Sequence, residues 1–293
     1  MSTINILVTG GNGQLGSELR NIYNSGKASI KNTINMISTD IDTLDITNTI
    51  FLKKFFSDHA FDFVINCAAY TQVDKAEKES ESAFLINASC VKGLIDAIKP
   101  YNTKFIHIST DYVFDGNNYK PYTEDDPTSP MSVYGKSKEE GEKIALSYVN
   151  SVVIRTSWLY SIFGNNFVKT IQRYSKEREE LNVVFDQIGS PTYAHDLAQA
   201  IFHIINQSVN KNNFVPGIFH YSNEGVCSWY DFARTIALKS YSNCQINPIE
   251  SKDFPTPTKR PFYSVLNKTK IKSTYNLTIP HWEDSLNEYF KQS

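Results

Sequence analysis

The stretch Thr9-Gly10-Gly11-Asn12-Gly13-Gln14-Leu15-Gly16 decides the fold of this 293-residue chain. It follows the apolar run 4–9 and precedes an amphipathic segment, so it lies between a strand and a helix. Its three spaced glycines, at positions 10, 13 and 16, suit a tight turn, a close approach to a pyrophosphate and close helix packing. The helix N-terminus would face the bound negative charge. The stretch therefore predicts a dinucleotide-binding unit at the start of the chain.

The following sequence alternates between strand and helix patterns. The strand patterns are nearly continuous apolar runs, which is typical of strands covered on both faces. They cover residues 36–40, 63–68, 104–109 and 152–156, and helix patterns cover 13–24, 47–57, 80–98 and 132–149. Right-handed crossovers place such helices on both faces of a parallel sheet. We therefore predict an α/β fold, a Rossmann-type doubly wound parallel sheet with ligands beyond the carboxyl ends of its strands.

The pattern loosens after Trp158 and indicates a second, smaller lobe. A Gly/Asn segment, a Gly-Ser-Pro turn and a Pro-rich stretch interrupt it, at 164–166, 189–191 and 248–261. Helices are predicted at 194–207 and 228–240, and strands at 183–186 and 218–221. We predict a dinucleotide-binding domain over residues 1–158, to which the later chain can add strands. Residues 159–293 then form mainly a C-terminal α/β substrate-binding lobe.

Composition excludes several other classes of protein. Hydrophobic residues make up 41% of the chain, which is enough for a folded core. The net charge of −2 gives no electrostatic footprint of a nucleic-acid-binding protein. No basic leader precedes the first apolar run. A membrane-spanning helix needs about twenty apolar residues, and no apolar stretch is nearly that long. We therefore expect a cytoplasmic protein with no membrane segment, whose four widely spaced cysteines are buried thiols.

Tyr134 and Lys138 form the first candidate catalytic pair. Their spacing of four residues puts a phenol and an ammonium on one helical face. The spacing alone means little, because Tyr23 and Lys27 share it. Position distinguishes the pairs: Tyr134 begins a helix after the fourth strand, whereas Tyr23 ends the first helix, away from the carboxyl-end cleft. We predict that Tyr134 is a general acid and that a nearby cation lowers its pKa from about 10.

Polar residues at two other strand ends complete the candidate site. Thr110 closes the fourth strand, where its hydroxyl can polarise a carbonyl that is being reduced. The alternative is an ordinary cap of the strand end. Asp40 closes the second strand, where a carboxylate can hold an adenosine ribose hydroxyl. Asp42 and Asp45 follow closely, so the choice among the three carboxylates stays open.

These motifs resemble the extended short-chain dehydrogenase/reductases and, within them, the dTDP-4-dehydrorhamnose reductase family. The resemblance spans nearly the whole chain. Besides the glycine stretch and Tyr134–Lys138, it rests on residues 44–47, 66–71, 73–77, 109–114, 155–158, 164–167 and 186–192. It implies NAD(P)H-dependent reduction of the C4 ketone of dTDP-4-dehydro-L-rhamnose to dTDP-L-rhamnose, a step in dTDP-rhamnose and cell-surface polysaccharide biosynthesis. Thr110, Tyr134 and Lys138 would be the catalytic residues.

The resemblance also implies binding roles at matching positions. The candidate cofactor-binding residues, for NADPH with NADH as an alternative, are Gly10, Gly13, Gln14, Leu15, Asp40, Asp45, Ile46, Ala68, Ala69, Thr71, Tyr134 and Lys138. The candidate residues for the dTDP-sugar are Tyr112, Trp158, Asn165, Asn166 and Arg260. Arginine suits a diphosphate because its guanidinium can donate two parallel hydrogen bonds.

Three further expectations concern metals, assembly and alternative functions. Some family members pair through a magnesium ion held by glutamates, but here the matching position reads Ala194-His195-Asp196. We therefore predict no metal site and hold magnesium in doubt, with a homodimer as the assembly to test. The catalytic residues would equally serve another dTDP-4-keto-deoxysugar. The fold also resembles a non-enzymatic NADP-binding regulatory subunit.

Overall fold

The protein is described by a computed structural model covering residues 3–28 and 30–292. Its strands are β1 (Ile4–Thr9), β2 (Ile34–Ser38), β3 (Phe63–Asn66), β4 (Lys104–Thr110), β5 (Ser151–Thr156), β6 (Leu159–Tyr160), β7 (Glu180–Val184), β8 (Ile188–Gly189), β9 (Thr192–Tyr193), β10 (Gly217–His220), β11 (Cys227–Ser228) and β12 (Gln245–Ile249). Its helices are α1 (Gln14–Asn24), α2 (Thr49–Asp58), α3 (Val73–Ala76), α4 (Ser80–Phe84), α5 (Cys90–Ile98), α6 (Val133–Leu146), α7 (Phe167–Glu177), α8 (Ala194–Lys211), α9 (Trp229–Lys239), α10 (Thr269–Tyr275) and α11 (Trp282–Gln292).

Six parallel strands form the central sheet, in the order β10-β5-β4-β3-β1-β2. The chain moves outward from β1 in one direction to β2 and in the other direction to β3. Such a switch point opens a crevice beyond the carboxyl ends of the strands. The predicted doubly wound α/β fold is confirmed.

Two apolar layers cover the faces of this sheet. One layer packs α1, α8 and α10 against the strands through residues such as Leu19, Ile201 and Tyr275. The other packs α2, α5 and α6 through residues such as Phe56 and Leu94. Burial on both faces explains why the strands read as continuous apolar runs. Within the described ranges, no helix has the length and apolarity needed to cross a membrane.

The observed bounds differ from the predicted ones at several strand ends. The second strand ends at Ser38, so Asp40 lies in the loop beyond it. The third strand ends at Asn66 because the chain turns there toward the crevice. The strand predicted at 218–221 belongs to the central sheet, since Ile218 pairs with Val153 of β5. Its grouping with the smaller lobe was wrong, although the expectation that later strands join the sheet is confirmed.

A short π-helical turn, Leu85–Ser89, joins α4 and α5 within the helix predicted at 80–98. The Asn87 side chain donates to the Tyr70 carbonyl and the Ser137 hydroxyl and accepts from the Tyr70 amide. A Cβ on Gly141 of α6 would lie 2.1 Å from the Asn87 carbonyl oxygen. The π turn therefore fits α5 tightly against α6, the helix that carries Tyr134 and Lys138.

The later chain forms an apolar cluster of its own around α7, α9 and α11, separate from the two layers on the central sheet. β7 and β12 pair in parallel beside it, and β6 pairs with β9 close to the end of β5. The division at residue 158 stays a prediction. All four cysteines are free: Cys90 and Cys227 are buried, and Cys67 and Cys244 are half-buried.

Candidate active site

A cavity of about 650 Å³ lies beyond the carboxyl ends of β1, β3, β4 and β5. It brings together most of the predicted site residues from distant parts of the chain. Its lining includes Gly10, Gly13, Gln14, Leu15, Asp40, Asp45, Ile46, Ala68, Ala69, Thr71, Thr110, Tyr112, Tyr134, Lys138, Trp158 and Asn165. Two predicted substrate residues, Asn166 and Arg260, lie outside this lining.

The glycine stretch forms one end of the cavity. Gly10 has φ +67°, and a Cβ there would lie 2.6 Å from the Ala68 amide nitrogen. A Cβ on Gly16 would lie 2.3 Å from the Gly10 carbonyl oxygen, so only glycine lets α1 begin this close to the loop. The N-cap of α1 is Gly13, which has no side chain to bond the first-turn amides. These amides suit an anion such as a pyrophosphate.

Two carboxylates line the cavity beyond β2. Asp40 accepts from the Asn12 amide at 2.9 Å, which ties it to the glycine stretch, and from the Ile41 amide at 2.9 Å. Asp45 accepts from the Thr47 amide and hydroxyl at 2.9 and 2.7 Å. Both carboxylates therefore have fixed orientations, and both are placed to accept from a ribose hydroxyl.

Thr110, Tyr134 and Lys138 form one wall of the cavity. Thr110 ends β4, and Ser132 caps α6 by accepting from the Gly135 amide at 3.0 Å. The Thr110 hydroxyl lies close enough to the Tyr134 phenol to affect its pKa. Lys138 is 2% exposed, and its Nζ donates to the Ile108 carbonyl oxygen at 2.6 Å. The wall thus presents a hydroxyl and a phenol, with an ammonium behind them.

The expected lowering of the Tyr134 pKa was wrong. Burial raises the pKa of Tyr134 above its usual value, and the hydrogen bond from Thr110 opposes that shift only in part. Burial also lowers the pKa of Lys138 to about 8, against the opposing charge of Glu142. The phenol is therefore protonated at neutral pH, and a protonated phenol is the form that a general acid requires.

Asp111 is a site residue that the sequence prediction missed. It is buried, lines the cavity and accepts a hydrogen bond from the Thr110 hydroxyl at 3.0 Å. Burial raises its pKa to about 7, while hydrogen bonds such as the one from Thr110 lower it. Its place directly after Thr110, at a strand end, is the signal that points to it. Asp111 thereby holds the single proton of the Thr110 hydroxyl in the hydrogen bond between them.

Arg260 approaches the site indirectly. The Tyr112 ring lies edge-on to the Tyr134 ring, with centroids 5.5 Å apart. Arg260 Nη1 donates to the Tyr112 hydroxyl at 3.2 Å, and Nη2 pairs with Asp74 Oδ2 at 2.6 Å. The guanidinium therefore lies at the rim of the cavity, where Asp74 is its present anionic partner.

Asn166 and Trp158 occupy different positions in the site. Asn166 caps α7 and donates to Gln14 Oε1 at 3.0 Å, so it braces a cavity residue from behind. Trp158 lines the cavity with φ +48°, a conformation that costs a non-glycine residue about 1–3 kcal/mol. Its carbonyl oxygen accepts from the Thr192 amide at 3.2 Å. This bond helps to hold the Trp158 backbone in its strained conformation.

The donor atoms present do not fit magnesium. Glu18 is buried, and its oxygens contact the Ser161 hydroxyl at 2.6 Å and His195 Nδ1 at 3.3 Å. Across residues 3–28 and 30–292, no group of three or more His, Cys, Asp or Glu side chains could hold a metal ion. Magnesium prefers an octahedron of oxygen ligands.

Comparison with known proteins shows the family of this chain. A family model described as the RmlD substrate binding domain matches residues 4–293. The dTDP-4-dehydrorhamnose reductase of Aggregatibacter actinomycetemcomitans is 39% identical, over 96% of each chain. This chain belongs to the dTDP-4-dehydrorhamnose reductase family. The family resemblance inferred from the motifs is confirmed, and the chain is an oxidoreductase.

Two further family comparisons bear on cofactor and context. The Bacillus anthracis dTDP-4-dehydrorhamnose reductase, solved in complex with NADP, is 36% identical, with a TM-score of 0.92 and full coverage of both chains. The spore coat polysaccharide biosynthesis protein SpsK of Bacillus subtilis is 40% identical over 98% of this chain and 97% of its own. This reductase-family chain therefore has full-length relatives in both nucleotide-sugar reduction and polysaccharide biosynthesis.

Proposed function

We propose that this protein reduces the C4 ketone of dTDP-4-dehydro-L-rhamnose to dTDP-L-rhamnose, using NADPH, for polysaccharide biosynthesis. The observation that carries the proposal is the shared cavity, in which Thr110, Tyr134 and Lys138 form a wall beyond the anion-suited glycine stretch. A hydride acceptor held against this wall has a proton donor on one side and the cofactor end of the cavity on the other.

The cavity fits a nicotinamide dinucleotide. Gly10, Gly13, Gln14 and Leu15 would hold the pyrophosphate, and Asp40, Asp45 and Ile46 the adenosine end. Ala68, Ala69 and Thr71 line the path between the ends, and Lys138 would hold the nicotinamide ribose. When bound, the reduced nicotinamide supplies the hydride for C4. NADPH is the proposed cofactor because a family relative binds NADP, and NADH is the alternative to test.

The protein's own residues complete the reduction. As the hydride forms the new C–H bond at C4, the C=O electrons move to oxygen, and the Tyr134 phenol gives its proton to that oxygen. The Thr110 hydroxyl has a single proton, which it donates to Asp111 in the structure; it would turn this proton to the substrate oxygen and so donate a hydrogen bond to the developing charge. The Lys138 ammonium stabilises the phenolate that remains. The result is an alcohol at C4, an oxidised nicotinamide and a phenolate that regains its proton from solvent.

The sugar nucleotide would bind at the other side of the cavity. Tyr112, Trp158 and Asn165 line this side, and Asn166 and Arg260 lie just behind it. The diphosphate would replace the Asp74 carboxylate as the partner of the Arg260 guanidinium, because both anions suit the same planar donors. We also propose a cytoplasmic location and a homodimer.

Turnover and product identification test this function. Enzymatically generated dTDP-4-dehydro-L-rhamnose is supplied with NADPH or NADH, and the product sugar is identified by NMR. We expect dTDP-L-rhamnose. Turnover of only another dTDP-4-keto-deoxysugar would replace the substrate assignment. NADPH binding without turnover of any keto-sugar would overturn the proposal and favour a regulatory subunit.

The pH profile of kcat/KM tests the role of Lys138. The pKa of Lys138 is lowered to about 8 by burial, so the ammonium is present below that pH and is lost above it. We therefore expect kcat/KM for ketone reduction to fall as pH rises through about 8. D111N is the control, because Asp111 has a pKa of about 7 and titrates nearby. A decline that vanishes in D111N belongs to Asp111 and contradicts this assignment.

A further inference from the structure

We propose that Trp229 and Gly189 are positioning residues that hold the Trp158 indole against the sugar in the cavity, and so set how the hexose is presented to Tyr134. Neither Trp229 nor Gly189 is among the residues that line the cavity in the described part of the chain. Both therefore act through Trp158. The inference rests on the proposed function, in which Trp158 contacts the sugar nucleotide.

The two indoles form a close parallel stack. The ring centroids of Trp158 and Trp229 lie 3.6 Å apart, and the ring planes differ by 11°. Trp229 begins α9 and is itself held by Phe167 of α7, whose ring centroid lies 4.5 Å away. Two helices of the later chain therefore fix the ring on which Trp158 lies.

Gly189 makes room for the edge of the same indole. A Cβ at this position would lie 2.5 Å from Trp158 Cε2 and 2.7 Å from Cζ2. It would also lie 2.6 Å from the Ser264 hydroxyl oxygen. No larger residue fits without moving Trp158. The indole is thus limited on one face by Trp229 and at one edge by β8.

The backbone of Trp158 makes this support necessary. Its positive φ of 48° is an unfavourable conformation for a residue with a bulky side chain. The bond from the Thr192 amide fixes its carbonyl, but it does not fix the ring. Packing against Trp229 selects the ring orientation, because the two indoles lie face to face at van der Waals distance and each covers one face of the other. Loss of that packing should let the indole ring move into the cavity and change the position in which the hexose binds.

Circular dichroism detects the stack directly. Two indoles this close couple their excited states and give paired bands of opposite sign. The chain has three tryptophans, so the assignment is simple. We expect the paired bands in the wild type and in W282F, because Trp282 is buried in the same apolar cluster but is not part of the stack. W158F and W229F should each lose them.

Kinetics then separate positioning from simple structural support. W229L should raise KM for the sugar nucleotide about tenfold or more and lower kcat, because small displacements in a site are costly. KM for NADPH should stay within about twofold of wild type, since the glycine stretch lies at the other end of the cavity. W229F should recover most of the sugar KM, because a phenyl ring can still stack.

The controls keep this inference separate from the proposed function. Sugar KM and kcat in W229L that match W282F, with the paired bands lost, would overturn the inference. Should W229L fail to fold, G189A supplies the comparison, because its Cβ would displace the edge of the Trp158 indole; sugar KM and kcat in G189A that match W282F would likewise overturn the inference. A wild type without turnover overturns the proposed function instead. In that case binding of dTDP-glucose, which carries a hexose, still tests the stack by calorimetry: unchanged binding in W229L contradicts it, and binding weakened relative to W282F supports it.

Discussion

A Tyr134→Phe variant is expected to reduce the keto-sugar about 10²–10⁴-fold more slowly than the wild type, with NADPH binding unchanged. The substitution removes the proton donor and little else. The phenyl ring keeps its edge-on contact with Tyr112, and Lys138 keeps its bond to the Ile108 carbonyl. Because burial raises the phenol pKa, wild-type Tyr134 is fully protonated when substrate binds. The loss should therefore appear in kcat at every pH near neutrality.

The measurement is NADPH oxidation with the keto-sugar, alongside NADPH binding by fluorescence. Y23F is a matched control, since Tyr23 stands four residues before Lys27 just as Tyr134 stands before Lys138. The Tyr23 hydroxyl, at the end of α1, donates to the Ile34 carbonyl oxygen at 3.5 Å. We expect wild-type kinetics from Y23F. A loss of less than tenfold in Y134F would assign the proton to another group, and Asp111 would be the first to examine.

The fold was largely predictable because its signals are local. Continuous apolar runs mark strands that are buried on both faces, and the glycine stretch marks the first crossover. The ends of the strands were less predictable. The sequence pattern extends the second strand to Asp40 and the third to Ala68, but both residues lie beyond the sheet and line the cavity. The partner of β10 was unpredictable for another reason. Pairing of Ile218 with Val153 depends on where the intervening lobe returns the chain.

The site residues were predictable where their position next to a strand end, or on the helix that follows one, indicates their role. Thr110, Tyr134 and Lys138 follow from position in the topology, and the cavity brings them together. Properties of the site that depend on burial could not be predicted from the sequence. Spacing places an ammonium near Tyr134, yet desolvation, which no local pattern shows, decides the direction of the phenol pKa. The contact of Trp229 with Trp158 likewise joins residues 71 positions apart in sequence.

An Arg155→Met variant is expected to lower the free energy of unfolding by about 3–5 kcal/mol. Arg155 lies near the carboxyl end of β5 and pairs with Glu142 of α6 through Nε–Oε1 and Nη2–Oε2 distances of 2.9 and 2.7 Å. The side chains are only 2% and 3% exposed. Burial lowers the pKa of His220 to about 3, so this neighbour is neutral and gives Glu142 no alternative cation. Without Arg155, the buried Glu142 carboxylate loses its hydrogen-bonded partner and keeps only the charge of Lys138, with which it forms no direct ion pair in the described part of the chain.

The double variant E142L/R155M distinguishes lost charge pairing from lost packing. Replacing both partners by apolar residues removes the unpaired charge, and such replacements of buried pairs are often neutral or stabilising. We therefore expect the urea midpoint of the double variant to return toward that of the wild type, well above that of R155M. K92A removes the exposed Lys92–Asp96 pair and should change stability by at most about 0.5 kcal/mol. A double variant as unstable as R155M would instead show that the Arg155 side chain contributes through packing, for which its contact with the Phe114 ring at 5.0 Å is the remaining source.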